Sequence, residues 1–248
     1  MAKKQVSQER KARLAEIQRQ QNARERRTKM VIIAGCLALL LVLAGVITFA
    51  VVDAQGKQPD AALAKLGVAA GAASCSAITT DAASGNGQHV GPGTNQPNMT
   101  TVKYATVPPS FGEHFAQPDL DGIHFYTGSD TPKVETLVHN LEHGYTVLWY
   151  DPKAPAAKIA VVKQIAEMAP KTSWAKDKFI AAPWDSSHGT FPAGKLFALS
   201  HWAAKVKADG SIESQAGHRQ LCGDISGDVV KQFIEKFPRT DAPEPNAA

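Results

Sequence analysis

Residues 30–52 place 23 consecutive positions without one charged side chain (M-VIIAGCLALLLVLAGVITFAVV). As a helix this run rises roughly 35 Å, enough for a hydrocarbon core of about 30 Å. A cluster of Arg and Lys ends at Lys29, on its amino side. The positive-inside rule then predicts a cytoplasmic N-terminus and everything after Asp53 outside. A cleaved signal peptide has a shorter apolar core, of about 7–15 residues. Ile33-Ala34-Gly35-Cys36 has the look of a lipoprotein box, but the long apolar run follows its cysteine instead of preceding it. The expectation is an uncleaved, single-pass signal anchor in the cell membrane.

The formal charge of +4 divides unevenly. Residues 1–29 carry ten Lys/Arg against three acids, a balance of +7, which leaves the other 219 residues at −3. A slightly acidic body has no basic patch of the density that nucleic acid needs. Residues 5–27 are rich in helix-forming Arg, Gln, Glu and Ala, with Leu14 and Ile17 the only sizeable apolar residues past Val6. That stripe is too thin for a coiled coil. It suits a basic cytoplasmic helix lying near anionic lipid headgroups, or one that meets another membrane protein.

Beyond the span, residues 53–99 are rich in Ala, Gly, Ser, Thr, Asn and Pro and read as stalk and loop. Denser patterning follows over 100–240. Strands are expected at 123–126, 145–150, 178–182 and 196–202, and helices at 156–168 and 229–237. Residues 241–248 form a Pro-rich tail. The pattern gives an α+β fold: one extracytoplasmic domain with a small mixed sheet, preceded by a transmembrane helix and the basic helix.

Two cysteines fall outside the span, Cys75 and Cys222. In an oxidising compartment such a pair forms a disulfide. It would be worth on the order of 4–5 kcal/mol by chain entropy. Copper ligation by the two thiols is the alternative.

All eight histidines also fall outside the span. The most informative stretch is Thr131–Gly144, TPKVETLVHNLEHG. Thr131 can cap a helix begun by Pro132, and Gly144 can take the left-handed conformation that ends it. Val134, Leu137, Val138 and Leu141 recur at i, i+3, i+4 and i+7, a core stripe. His139 and His143 project roughly 150–190° away from it. Four residues apart on one face is a spacing at which two imidazoles can bind one metal ion. His139-Asn140-Leu141-Glu142-His143 also matches the H-x-x-E-H string of inverzincin metallopeptidases, in which the glutamate is a general base, with Glu213 a candidate third ligand. The early helix stop at Gly144 and the small domain fit that enzyme badly.

Other features read blandly. Ser186-Ser187-His188-Gly189 is a glycine-ended turn. His201 is a half-buried strand histidine, His218 a loop residue, and the four tryptophans are core. The chain has no Gly-rich phosphate loop, C-x-x-C or C-x-x-C-H.

In order along the chain come Gly71 and Cys75, Gln88-His89-Val90, Tyr104 to Pro108-Pro109-Ser110 and His114, then His139-Asn-Leu-Glu-His143-Gly144, Tyr150-Asp151-Pro152 and Ala242-Pro-Glu-Pro245. This order resembles the mainly actinobacterial, membrane-anchored domain-of-unknown-function family 3105. The family form before the second histidine is closer to Pro-Pro-(Thr)-Ser-Gly-Pro-His, so Ser110-Phe111-Gly112-Glu113-His114 departs from it. The resemblance implies that His89, His114, His139 and His143 are important positions, and it implies no activity. Three functional readings follow. The first is a metal site of these histidines, with Glu142 a ligand or an orienting group; imidazole-rich ligation outside the cell suits one copper or zinc ion, and Met99 or Met168 could add soft ligands for Cu(I). The second is a non-catalytic interaction or assembly module of a membrane complex. The third is a hydrolase.

Overall fold

The computed structural model describes residues 34–47, 58–209 and 211–247, with isolated positions between 16 and 30. The chain divides into two compact units, residues 1–55 and 56–248. In the first, residues 34–47 are helical, as are the described positions within 16–30. Much of the helix expected over 5–27, and residues 31–33 and 48–52 of the expected span, lie outside the described residues. Among the described residues no helix is long and apolar enough to cross a membrane.

Along the second unit come β1 (Thr79–Ala82), β2 (His89–Val90), β3 (His114–Phe115), α1 (Val134–Glu142), β4 (Thr146–Tyr150), α2 (Ala156–Met168), β5 (Phe179–Pro183), β6 (Phe197–Val206), β7 (Ile212–Cys222) and α3 (Gly227–Lys236). The fold is α+β around a mixed sheet ordered β1-β7-β6-β4-β5. Its pairs are antiparallel except β4 with β5, whose parallel register needs the crossover that α2 supplies. β2 and β3 form a separate parallel pair.

The YTVLWY run explains why the sheet is covered on both faces. Every residue of β4 is buried. Alternate side chains point to opposite faces, so Leu148 and Tyr150 join a core with Val162 and Ile165 of α2 and Val230 and Phe233 of α3. Val147 and Trp149 join a second core with Leu137, Val138 and Leu141 of α1. The apolar stripe of α1 therefore packs where its periodicity predicts.

Several expectations need correction, among them the strand at 123–126, where only an isolated bridge from Phe125 to Ala181 forms. The helix begins at Val134, two residues after Pro132; Thr131, preceding a proline, is held extended, as is the N-cap Lys133. The supposed stalk is built into the domain from residue 58: Leu63 and Ala73 are buried in the core, and β1 pairs with β7. Small residues allow this close packing. A Cβ on Gly227 would overlap the Leu63 carbonyl oxygen. The tail is held as well, because Lys178 Nζ donates to the carbonyls of His143, Pro245 and Ala247, and Ala242 is buried.

Cys75 and Cys222 form the disulfide, spanning 147 residues of chain. Bonded sulfurs offer no thiolate, which removes copper ligation by this pair. His218 proves to be a strand residue on β7, with Nδ1 3.0 Å from Thr80 Oγ1 and its ring stacked on Phe237 at 3.8 Å. His201 is fully buried against Asp241 Oδ1 at 2.7 Å and the Tyr145 carbonyl at 3.2 Å.

Replacing Cys75 and Cys222 together by serine should lower unfolding free energy by about 2–5 kcal/mol in urea titrations. A second prediction concerns acid. Burial first, then the His201 and Lys236 charges, push the His218 imidazole down to about 4, against the opposing pull of Asp241 and Asp81. The folded ring stays neutral where the unfolded one protonates, so its contribution is whole above pH 6.5 and lost as pH falls towards 4. At pH 5 the parent should have lost about 2 kcal/mol relative to pH 7 through this group. His218→Gln should lose correspondingly less between the same two pH values.

Candidate metal centre

The polar side of α1 is as buried as its apolar side. Glu135, His139, Asn140 and Glu142 are at most 4% exposed. Such burial is costly unless each group is paired, and most of the partners come from neighbouring loops. Glu135 accepts from Val102 N–H at 2.8 Å. Asn140 accepts from Asp119 N–H at 2.9 Å and donates to the Asp119 carbonyl at 2.8 Å. These contacts fix the helix against the loops that carry β2 and β3.

The register of β2 with β3 sets His89 opposite His114. On α1, His139, Glu142 and His143 stand at i, i+3 and i+4, one helical face. The three rings His89, His114 and His139 meet with centroids 4.7–5.0 Å apart. Ligand atoms of His89, His114, His139 and Glu142 all lie within 4.8 Å of one another, and the four groups could hold a metal ion. His143 adjoins them, its Nε2 3.0 Å from His139 Nε2. It also falls in a second such group, with Glu142 and Glu244.

Backbone carbonyls choose the tautomers. A carbonyl can only accept, so His114 Nδ1 donates to Gly112 O at 2.7 Å and His139 Nδ1 to Phe115 O at 2.6 Å. In the neutral rings the lone pair then sits on Nε2, turned into the cluster. Burial holds the His139 imidazole down to about 4; the Phe115 carbonyl opposes this, and the His114 and His143 rings add to it. Burial alone would raise the Glu142 carboxyl. The His114 ring beside it, the Gly87 N–H at 2.6 Å and the Asn86 amide at 2.8 Å outweigh that and hold it at about 2. Both amides bind Oε1, leaving Oε2 for the cluster. His114 Nε2 lies 3.0 Å from Glu142 Oε2, an ion-pair distance. His89 Nε2, His114 Nε2 and Glu142 Oε2 are buried without a hydrogen-bond partner among the described residues.

The structure thus brings together all five side chains picked from the sequence for this centre. Glu213 lies elsewhere, in an exposed pair with Lys205 at 2.9 Å. Met168 packs against the core, and among the described residues no cysteine belongs to the cluster. Asn86, Gly87 and Glu244 were missed, since none has a spacing relation to α1. The Pro243-Glu244-Pro245 string in the tail was the only trace of Glu244.

These features define an α+β domain with a buried histidine–carboxylate centre. The family model described as protein of unknown function (DUF3105) matches residues 95–248, and the chain belongs to that family. The match includes His114, His139, Glu142, His143 and Glu244 and begins after His89 and Cys75. Comparison with curated proteins and with solved structures returns no match.

Gly144, directly after His143, has φ +91°, and a Cβ there would overlap the Arg239 carbonyl oxygen. Gly144→Ala should cost at least about 1–3 kcal/mol from the backbone conformation alone, measured by denaturant unfolding.

Proposed function

We propose that this chain is a membrane-anchored protein whose extracytoplasmic domain binds one divalent metal ion, zinc or copper, through His89, His114, His139 and Glu142. The observation that carries this reading is the convergence with His139 Nε2 of three buried polar atoms that have no hydrogen-bond partner among the described residues. Each such atom left unmatched costs about 1–3 kcal/mol, and one cation would satisfy all of them. Around a tetrahedral zinc at about 2.0–2.1 Å, ligand atoms sit about 3.3 Å apart. The His114–Glu142 and His139–Glu142 separations, 3.0 and 3.9 Å, bracket that value. Imidazole binds a metal as a neutral ligand, so the set as a whole brings one carboxylate charge to a divalent ion. Imidazole and carboxylate donors suit Zn(II) or Cu(II).

The same features weigh against hydrolysis. His114 and Glu142 are fully buried, and a closed set of four protein ligands is the pattern of structural or carrier sites. With Oε1 held by Gly87 and Asn86, Glu142 is set as a ligand and not as a base facing water. The apolar run behind Lys29 supports the anchor and its orientation, with lipid as a partner and a second membrane protein as the recipient or source of the ion. The disulfide supports an oxidising compartment.

The full chain, purified in detergent without a polyhistidine tag, should retain one equivalent of Zn(II) or Cu(II) after dialysis. His114→Ala and His139→Ala should each abolish retention. In the parent, metal at about 100 times its Kd should add about 2.7 kcal/mol to unfolding free energy. A parent chain that retains neither ion sinks the proposal.

A further inference from the structure

Two side chains beside the buried centre, Asn86 against Glu142 and Glu244 against His143, also line a surface cleft. A polar cleft of about 600 Å³ is lined by Asn86, Glu213, Gln215, Pro243 and Glu244 among others. Of its two lining carboxylates, Glu244 is the one that meets His143. Its side chain is 45% exposed, with Oε2 3.6 Å from His143 Nε2 and Oε1 3.4 Å from Asn86 Nδ2. The same Asn86 amide donates to buried Glu142 Oε1 at 2.8 Å. His143 Nε2 then lies 3.0 Å from His139 Nε2. Ligand atoms of Glu142, His143 and Glu244 fall within 4.8 Å of one another.

We infer that Glu142, His143 and Glu244 form a second, shallower cation position that passes ions between the cleft and the buried centre. The inference rests on the metal-binding reading above. Its geometry is a graded one, from an exposed carboxylate, to a nearly buried imidazole, to a fully buried carboxylate shared by both groups. Glu142 is the group that both positions use, and its Oε2 faces the buried histidines, 3.0 Å from His114 Nε2 and 3.9 Å from His139 Nε2. An ion moving inward exchanges one donor at a time, Glu244 for His139 and then His143 for His114 or His89. It is never stripped of all its ligands, which is what makes dehydrating a divalent ion slow. The backbone holds the carboxylate in place for this: Glu244 N–H donates to the Glu142 carbonyl at 3.0 Å, and Lys178 binds the carbonyls of Pro245 and Ala247.

The test is stopped-flow Zn(II) exchange on the full chain in detergent, against a chromogenic chelator, in the parent and in Glu244→Gln. The amide keeps the size of the side chain and removes its charge. Zinc uptake and release should both slow by roughly tenfold or more in the variant, the scale on which a local charge alters cation encounter. A parent that takes up no zinc overturns the metal-binding reading and this one with it. A parent that takes up zinc, beside a variant exchanging at the parent's rate, overturns only the relay. Faster exchange in the variant overturns it too, because the tail would then be a cover and not a way in.

Discussion

Carrying three imidazoles and a carboxylate into the layer between α1 and the β2–β3 pair sets terms that the surrounding chain has to meet. Polar atoms there are out of reach of water, so each needs a partner from the protein or an ion. The Gly112 and Phe115 carbonyls fix the rings, and Gly87 and Asn86 hold one oxygen of Glu142. Those partners sit on loops, so the loops in turn have to be anchored. Glu135 and Asn140 do that from the same helix, by binding the backbone of Val102 and Asp119. The long irregular stretch before α1 is ordered mainly by this exchange of hydrogen bonds and less by a sheet of its own.

What the sequence made legible was what short-range periodicity controls. The stripe of α1, the apolar run of β4 and the helix at Ala156–Met168 all form where their patterns lie. The placing of His139 and His143 opposite the apolar stripe also follows from helix geometry. Periodicity does not say what covers that opposite face, and an HxxxH face in isolation is equally consistent with solvent. The cover comes from segments whose composition looked like stalk and tail. Ala, Gly and Ser in residues 58–99 signal loop locally, yet the segment packs Leu63 against Gly227, where only a glycine fits, and pairs β1 with β7. The role of Glu244 depends on Lys178 catching the tail, a contact between residues 67 positions apart.

The sheet separates two tasks. On one face, α2, α3 and the disulfide-linked amino-terminal segment build an ordinary apolar core. On the other, α1 stacks a smaller core under the polar centre. β4 belongs to both, through Leu148 and Tyr150 on one side and Val147 and Trp149 on the other. Disturbance of either core therefore reaches the centre through one buried strand.

Helix α1 has nine residues, and eight of them are buried. A helix exposed on one side can tilt or roll by a few degrees to suit what it binds; this one is gripped around nearly its whole circumference. The two side chains it lends to the centre, His139 and Glu142, are consequently held like jaws in a vice, with their spacing set before any ion arrives. Discrimination among ions then falls to size and preferred coordination shape. An ion that needs the jaws moved must deform a packed core to bind, and one that matches the existing gap pays nothing.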